Sequence, residues 1–385
     1  MRDASRTGRV LGAVIACLAG CASPPPPSAP STPNAPARPY LVVTSIVVAP
    51  GLTNEAWADV YLVQPDGRLV PAGARQALPR VSRLWASFLD APDGLLHYLH
   101  TGPTGTEMWT YQVAPETGIL TRLATTPLPR PIGNAGFHPS GRFLYGATTD
   151  QQVAGFEIDT RSGVILRPLP GSPWRWQARH RYGLSRMEFS PSGRFLYAHA
   201  SLIYKTQGLI TFRVDASTGA LAQTGELSVY DRDSNLGIDA RERFAFLVEG
   251  IVGEPVRSWR GFAIDGNDGS LHDLSDHPPR RGFVSLLSAG SSGRWMLAGG
   301  EDSTGIESLR LTAQGELTAA GRLEGPDGEG VLFLQQEGAH VYGFSEKAGV
   351  SARFDEETGA FTKLQDLARP AHERVSFVAL GRPAS

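Results

Sequence analysis

Two short patterns alternate along the chain. The first is an apolar strand, a turn and a second apolar strand; its clearest copies are Phe137–Tyr145 and Phe189–Tyr197, which share a Pro-Ser-Gly-Arg turn. The second alternates apolar and polar residues and then turns at a glycine, as in Phe156–Ile165 and Phe212–Leu221. Alternation with a period of two is typical of a half-buried strand, and glycine supplies the positive φ of the turn. Both patterns therefore predict β-hairpins.

The two hairpins form one repeating unit. The turn glycines of the second pattern recur about every 44 to 56 residues, and a four-stranded unit of that size is typical of a propeller blade. The second hairpin occurs seven times and the first only six times. The missing strands stand at the two ends, Val375–Leu380 and Tyr40–Val48. We therefore predict an all-β domain, residues 40–385, with seven four-stranded antiparallel blades, whose ring is closed by pairing a C-terminal innermost strand with the N-terminal strands.

The first 39 residues predict a targeting segment and a tether. A basic start precedes the apolar run Val10–Leu18, which is too short for a spanning helix and is typical of a secretory signal. The following Leu-Ala-Gly-Cys21 resembles the lipobox of bacterial lipoproteins, which implies lipidation of Cys21 and an outer-membrane-anchored protein facing the periplasm or the surface. We expect a signal peptide over 1–20 and a proline-rich tether over 21–39. The alternative is an ordinary signal peptide with a chance cysteine.

Composition narrows the possible chemistry. Lysine and arginine number 36 and aspartate and glutamate 38, so a net charge of −2 argues against nucleic acid as a partner. The two cysteines, Cys17 and Cys21, both lie in the targeting segment, so we expect neither a disulfide nor a thiolate site in the folded part. No phosphate-binding loop, nucleophile elbow or zinc-protease motif occurs, and we expect no cofactor.

One stretch partly resembles a calcium loop. Asp231, Asp233 and Asn235 occupy its first, third and fifth positions, but the glycine comes one position late, at Gly237. We favour a plain blade-connecting turn, followed by a hairpin turn over residues 239–242. His97 and His100 are three residues apart, which places them on opposite faces of a strand, and we interpret them as surface or turn residues.

The two repeated units, Phe-x-Pro-Ser-Gly-Arg-Phe-Leu-Tyr and Phe-x-Ile-Asp-x-x-x-Gly-x-Leu, resemble the lactonase family of seven-bladed propellers. That family includes 6-phosphogluconolactonase-like and carboxymuconate lactonizing enzymes. The resemblance covers residues 40–380 and implies an axial active site of one histidine, two arginines and a glutamate. In this sequence the histidine position falls on Ser185, the first arginine position and its neighbour fall on Ser234 and Asn235, and the second arginine position falls on Glu301. The carboxylate of Glu249 lies one residue before the glutamate position. We therefore expect the family's chemistry to be lost.

Arginine recurs in the linkers that lead from an outermost strand to the next innermost strand. Six of the seven linkers carry it, and such linkers surround the channel mouth of a propeller. A ring of guanidinium groups would concentrate an anion, and the tryptophans of the third linker could stack on a sugar or anchor a partner. In the alternative reading, the arginines only pair with neighbouring carboxylates. The candidate ligand-binding residues are Arg130, Trp174, Trp176, Arg179, Arg181, Arg186, Arg232, Arg281 and Arg374.

Two functions remain open. We favour a non-catalytic, monomeric binding module that meets the membrane only through its lipid and binds a protein, a glycan or an anionic small molecule. The alternative is a divergent hydrolase of a lactone or sugar acid, with Glu249 and His180 as its weak catalytic candidates. An acid–base pair within hydrogen-bond reach at the axis would favour the hydrolase. A dry or plugged channel would favour the binding module.

Overall fold

The computed structural model describes residues 39–47, 54–81, 87–90, 95–102, 105–114, 117–148, 150, 152–176, 183–202, 205–231, 235–250, 257–274, 285–290, 292–299, 304–328, 330–370 and 373–381. The chain divides into two compact units, Met1–Pro36 and Ala37–Ser385, and all described residues belong to the second. The expected signal peptide over 1–20, the lipidated Cys21 and the tether up to residue 38 lie outside the described residues.

Short strands account for nearly all regular structure of the described chain. They are β1 (Tyr40–Val47), β2 (Asn54–Val63), β3 (Leu69–Pro71), β4 (Gln76–Val81), β5 (Ser87–Asp90), β6 (Leu95–Gly102), β7 (Gly105–Val113), β8 (Leu120–Pro127), β9 (Gly133–Phe137), β10 (Phe143–Ala147), β11 (Gln152–Ile158), β12 (Ile165–Pro168), β13 (Trp174–Arg175), β14 (Gly183–Phe189), β15 (Phe195–Leu202), β16 (Lys205–Val214), β17 (Leu221–Asp231), β18 (Asn235–Ile238), β19 (Phe244–Gly250), β20 (Arg257–Ile264), β21 (Leu271–Asp273), β22 (Ser285–Ala289), β23 (Trp295–Gly299), β24 (Gly305–Leu311), β25 (Leu317–Glu324), β26 (Phe333–Glu337), β27 (His340–Phe344), β28 (Ala348–Phe354), β29 (Phe361–Ala368) and β30 (Glu373–Gly381). A single 3-10 turn, Pro326–Gly328, precedes β26. The described residues form no helix that is long and apolar enough to cross a membrane.

The strands form seven antiparallel sheets, each a propeller blade. From inside to outside they are β5–β8 (blade 1), β9–β12 with β13 on β11 (blade 2), β14–β17 (blade 3), β18–β21 (blade 4), β22–β25 (blade 5), β26–β29 (blade 6) and β30-β1-β2-β3 with β4 on β2 (the closure blade). The innermost strands meet their neighbours around the axis, for example β30 with β5 and with β26. The predicted all-β, seven-bladed propeller is confirmed.

The ring is closed by strands from both ends of the chain, as the sequence predicted. β30 pairs antiparallel with β1, so that Val378 lies opposite Val43. Both strands are rich in apolar residues, interrupted by Thr44 and Ser45 in β1 and by Ser376 in β30, which suits a strand buried largely on both faces. Alternate residues of β1 serve the two faces: Val42 packs towards blade 1, whereas Val43 packs towards blade 6.

Ion pairs form a clasp beside this closure. The side chain of Glu373, at the start of β30, contacts both the guanidinium of Arg75 and the hydroxyl of Ser45. Arg369 donates to Asp59 at 2.7 Å and to Ser45 at 3.1 Å. Desolvation raises the pKa of Glu373, but the two arginines outweigh it and hold that pKa below its ordinary value.

At four of the blade interfaces, a buried hydrogen bond fixes an outer hairpin to the preceding blade. Tyr145 of blade 2 donates to the carbonyl of Gly219 at 2.7 Å, and Tyr197 of blade 3 donates to that of Gly269 at 3.0 Å. Both glycines have positive φ, 72° and 79°, which L side chains rarely adopt. Blades 1 and 5 make the same bond from their third strands, from Thr110 to Gly163 and from Ser308 to Gly359.

The interface of blade 6 with the closure blade departs from this rule. Tyr342 corresponds to the two bonded tyrosines, yet its buried hydroxyl has no hydrogen-bond partner among the described residues, and the hydroxyl of Ser351 opposite it has none either. The facing hairpin of the closure blade is one residue shorter. The amide of Gly67 donates to the carbonyl of Gln64, three residues back, whereas the turn glycines that accept an interblade bond donate to a carbonyl four residues back. We attribute the missing bond to this shorter turn, which displaces the carbonyl of Gly67 from the hydroxyls of Tyr342 and Ser351.

The expectation for His97 is wrong, because its side chain is core rather than surface. The residue is 1% exposed, and its Nδ1 lies 3.0 Å from Oγ1 of Thr110. Since that hydroxyl already donates to Gly163, the ring Nδ1–H donates to Thr110. Burial lowers the pKa of His97 to about 3, so the ring is neutral at pH 7. His100 is half-buried beside Trp109, with ring centroids 5.1 Å apart.

Candidate functional site

Three ionisable side chains meet on the inner hairpin of blade 3. Arg186 and Glu188 lie two residues apart on β14, the innermost strand, and therefore share one face. His199 lies on β15 directly opposite Arg186, which brings it to that same face. The hairpin register thus assembles an arginine, a carboxylate and an imidazole on a strand that lines the central channel.

The three groups form a chain of contacts from the core to the channel. Nε2 of His199 lies 2.5 Å from Oε2 of Glu188, and Nε of Arg186 lies 3.2 Å from Oε1. The side chains are 0%, 18% and 52% exposed in the order His199, Glu188, Arg186. Both carboxylate oxygens are buried and accept no hydrogen bond of good geometry from the described residues, so both are close contacts rather than hydrogen bonds. Only the arginine presents substantial surface to a ligand.

This arrangement suits recognition of a planar anion. Glu188 engages the Nε side of the guanidinium, which is the only ion pair of Arg186 among the described residues. The two Nη groups carry four further N–H donors in a fixed fork that matches a carboxylate or phosphate. The carboxylate that contacts the guanidinium lies in turn against His199, so the three groups form one chain of contacts.

A backbone irregularity positions Arg186. The register of β14 against β15 shifts between Leu184 and Arg186, a bulge that re-aims the following side chain. On the adjacent innermost strand β9, Asn134 donates from Nδ2 to the carbonyl of Leu184 at 2.8 Å. Asn134 has a φ of 42°, a conformation that asparagine tolerates better than most residues. The bulge also shifts Ser185, the position predicted for the family's histidine, out of the simple hairpin register.

The structure describes three of the predicted arginines, and each has different surroundings. Arg186 lies on the innermost strand of blade 3 and contacts Glu188, as above. Arg130 is exposed and lies 3.5 Å from Oε1 of Gln152. Arg374 is 59% exposed and lies 3.4 Å from Glu346. The remaining predicted linker residues, Arg179, His180, Arg181, Arg232 and Arg281, lie outside the described residues.

The two predicted tryptophans belong to the periphery of blade 2 rather than to the channel. Trp174 lies on β13, which pairs with the third strand of the blade, and it is half-buried with its ring 6.2 Å from Tyr145. Trp176 is 5% exposed and packs in the core shared by blades 2 and 3. Trp176 is therefore a core residue and not the stacking platform predicted from the sequence, because core side chains pack against its indole.

The catalytic candidate Glu249 and the calcium candidates Asp231 and Asn235 lie at or near strand ends. Glu249 lies near the end of β19 and Asp231 ends β17, but their side chains are outside the described residues, as is Asp233. Asn235 opens β18 and is half-buried. Among the described residues, no three histidine, cysteine, aspartate or glutamate side chains are grouped to hold a metal ion.

The predicted hairpin turn over 239–242 is confirmed. The carboxylate of Asp239 is fully buried and accepts from the amides of Arg243 and Phe244 at 2.6 and 2.7 Å. Glu242 occupies the left-handed position that glycine fills in blades 2 and 3, with a φ of 54°. Its carboxylate reaches back to blade 3, where Arg194 donates to it at 3.1 Å. These acids are engaged in holding turns.

Arg186 is among the ligand-binding residues predicted from the sequence, whereas Glu188 and His199 are not. A signal for Glu188 was present, since two charged residues at i and i+2 on an innermost strand must share a face. His199 lies in an apolar strand, and only the exact hairpin register shows that it faces the carboxylate.

Comparison with known proteins supports the fold. No family model and no curated protein matches the sequence. A Bacteroides uniformis protein, to which 6-phosphogluconolactonase activity is provisionally ascribed, matches with 15% identity and a TM-score of 0.62 over 89% of this chain and 99% of its own. The periplasmic gluconolactonase of Pseudomonas aeruginosa matches with 18% identity and a TM-score of 0.58 over 89% and 99%. A hypothetical selenium-binding protein of Sulfolobus tokodaii gives 10% and 0.65 over 91% and 96%. The predicted lactonase-like propeller fold is confirmed.

Proposed function

We propose that this chain is a non-catalytic envelope lipoprotein whose propeller channel binds a small anion that carries a carboxylate. The observation that carries the proposal is the half-exposed guanidinium of Arg186 on the innermost strand of blade 3, in contact with Glu188, which in turn contacts His199. Charge-assisted hydrogen bonds from a held guanidinium are strong and geometrically selective.

Burial of the other two groups favours binding over hydrolysis. A general base must come within about 2.6–3.2 Å of the proton it takes. His199 is fully buried, and both oxygens of Glu188 are covered. A ligand in the channel would therefore touch the arginine, while the histidine and carboxylate act on the arginine rather than on the ligand.

The alternative function is hydrolysis of a lactone or sugar acid. One observation favours it: an imidazole and a carboxylate lie 2.5 Å apart beside the channel. The likeness in fold to a periplasmic gluconolactonase points to the same chemical class of ligand. This function would require Glu188 to become accessible once a substrate is bound.

Calorimetric titration with gluconate and with glucono-δ-lactone tests both functions. If Arg186 binds the carboxylate, Arg186→Gln should weaken gluconate binding about tenfold or more, because a hydrogen bond to a charged group contributes roughly 1.5–3 kcal/mol. The matched control is Arg213→Gln, an exposed arginine on the third strand of the same blade, which should bind normally. Equal affinities of the two variants would refute the site. Turnover of the lactone that Glu188→Gln abolishes would establish the hydrolase instead.

The envelope location has its own test. Cys21 is proposed to carry the lipid, on the strength of the apolar run and the Leu-Ala-Gly-Cys tetrapeptide. Intact-mass analysis of the membrane-extracted protein should show a chain that begins at an acylated Cys21. Cys21→Ser should move the protein out of the membrane fraction. An unmodified mass in the membrane fraction would contradict lipidation.

A further inference from the structure

Among the described residues, the exposed large aliphatic side chains lie on three neighbouring blades. Within the part of the chain that the structure describes, these are Val70, Ile119, Leu123 and Leu166, which are 46%, 53%, 43% and 57% exposed. Val70 lies on β3, Leu123 on β8 with Ile119 just before it, and Leu166 on β12. These are the outermost strands of three consecutive blades, the closure blade, blade 1 and blade 2. We call these four residues the apolar rim.

The apolar rim spans seams between adjacent blades. A Cβ placed on Gly118 would lie 2.8 Å from that of Ala72, so the residue before Ile119 abuts the segment that follows Val70. Ile165, the neighbour of Leu166, packs against the core cluster that includes Met108 of blade 1. Single exposed aliphatic residues are ordinary on a protein surface, whereas four of them on or beside the outermost strands of three consecutive blades suit an interaction surface.

Each of the three strands also presents an arginine beside its aliphatic residue. Arg68 precedes β3, Arg122 adjoins Leu123, and Arg167 adjoins Leu166. The side chains of Arg68 and Arg167 are 62% and 73% exposed; Arg68 lies 3.7 Å from Asp66, and Arg167 donates to Glu157 at 2.7 Å. Arg122 lies over the ring of Trp109, 4.9 Å from its centroid. Guanidinium groups beside aliphatic side chains suit the boundary between anionic headgroups and acyl chains, where arginine meets phosphate and aliphatic groups enter the hydrocarbon edge.

The chain joins the ring close to this surface. The carbonyl of Pro39 accepts from the amide of Val63 at 3.0 Å, and Val63 pairs with Leu69, the residue before Val70. Seventeen residues separate Cys21 from Pro39, which at about 3.1 Å per residue span at most roughly 55 Å. A tether of that length gives the tethered surface an effective concentration near the millimolar range, so weak contacts suffice.

We propose that the apolar rim rests on the anionic phospholipid surface that holds the lipid anchor. This inference rests on the proposed lipidation of Cys21. Contact through the rim, rather than through either face of the ring, would set the propeller on edge. Neither face of the ring would then be covered by lipid, so the membrane would not obstruct a soluble anion that approaches the innermost strands.

Site-specific fluorescence on the full-length lipidated protein tests the proposal. The sequence contains no cysteine besides Cys17 and Cys21, so Leu123→Cys and Leu166→Cys each supply a single labelling site in the acylated chain. Thr318→Cys, on the exposed outermost strand of blade 5, is the matched control. An environment-sensitive dye is attached, and the protein is reconstituted into phosphatidylethanolamine–phosphatidylglycerol vesicles. We expect a blue shift and quenching by lipid-borne quenchers at positions 123 and 166, but not at 318.

Failure of the membrane contact through the apolar rim can be distinguished from failure of the lipidation of Cys21. Equal spectra at all three positions, in protein whose mass confirms acylation, would overturn the rim and leave the anchor intact. A mass without acyl chains would overturn lipidation and the rim contact with it. A shift that grows with protein density at constant lipid would assign the surface to a second copy of the chain and overturn the membrane contact.

Discussion

The tyrosine hydroxyls at the blade interfaces allow a test in which one substitution has opposite effects at equivalent positions. In Tyr145→Phe, the carbonyl of buried Gly219 loses its donor at 2.7 Å. Stranding a buried hydrogen-bond partner costs about 1–3 kcal/mol, so we expect a loss of that size in the free energy of unfolding. In Tyr342→Phe, the hydroxyl removed is buried without a partner among the described residues. Burying an unpartnered hydroxyl itself costs about 1–3 kcal/mol, so this variant should be as stable as wild type or more stable.

Urea unfolding midpoints at constant m-value give the comparison directly. Tyr197→Phe serves as a replicate of the bonded case, because its hydroxyl donates to Gly269 at 3.0 Å. All three variants delete the same atom from a fully buried ring, so differences in apolar burial cancel. Equal destabilisation at positions 145 and 342 would refute the account of the shortened hairpin. So would a Tyr145→Phe variant that costs nothing.

Three further predictions concern single groups. His97 has a folded pKa of about 3 and an unfolded value of 6.5, so its contribution to the free energy of unfolding is complete above pH 6.5 and is lost as pH falls towards 3. Between these two pH values the free energy of unfolding of wild type should drop by about 1.4 kcal/mol per pH unit relative to His97→Asn. Parallel pH profiles of the two proteins would contradict this. The lowered pKa of Glu373 gives stability above its unfolded value of 4.5 that is lost as pH falls through the folded pKa, so Glu373→Gln should be less stable at pH 7 and the gap should close in acid; a gap independent of pH would count against the clasp. Glu242→Gly and Glu242→Ala both lose the contact with Arg194, but only glycine relieves the φ of 54°, so the alanine variant should be about 1 kcal/mol less stable in urea; the reverse order would disprove strain at that turn.

The sequence was sufficient for the architecture because a propeller repeats one local solution. Period-two alternation and turn glycines appear in every blade, and the unpaired runs Tyr40–Val48 and Val375–Leu380 had each only the other as a partner. The closure predicted from them matches the observed pairing of β1 with β30.

The site was less predictable because it depends on register and on packing between blades. His199 and Glu188 are eleven residues apart, and one bulge near Leu184 changes which residues face each other. The burial of Trp176 and His97 depends on neighbouring blades, which a single repeat does not reveal. An arginine in a linker looks the same in sequence whether it binds a ligand or pairs with a carboxylate, as Arg374 does with Glu346.

The pairing of β1 with β30 also sets the order of events when the chain is made. Ser45 and Glu373, which meet in the clasp, are 328 residues apart, so β1 exists long before its inner neighbour. Blades 1 to 6 each find all their strands within one short stretch and can form as the chain lengthens. The closure blade cannot. Until the last nine-residue strand emerges, β1 keeps an open apolar edge, so a prematurely terminated chain carries its own aggregation signal.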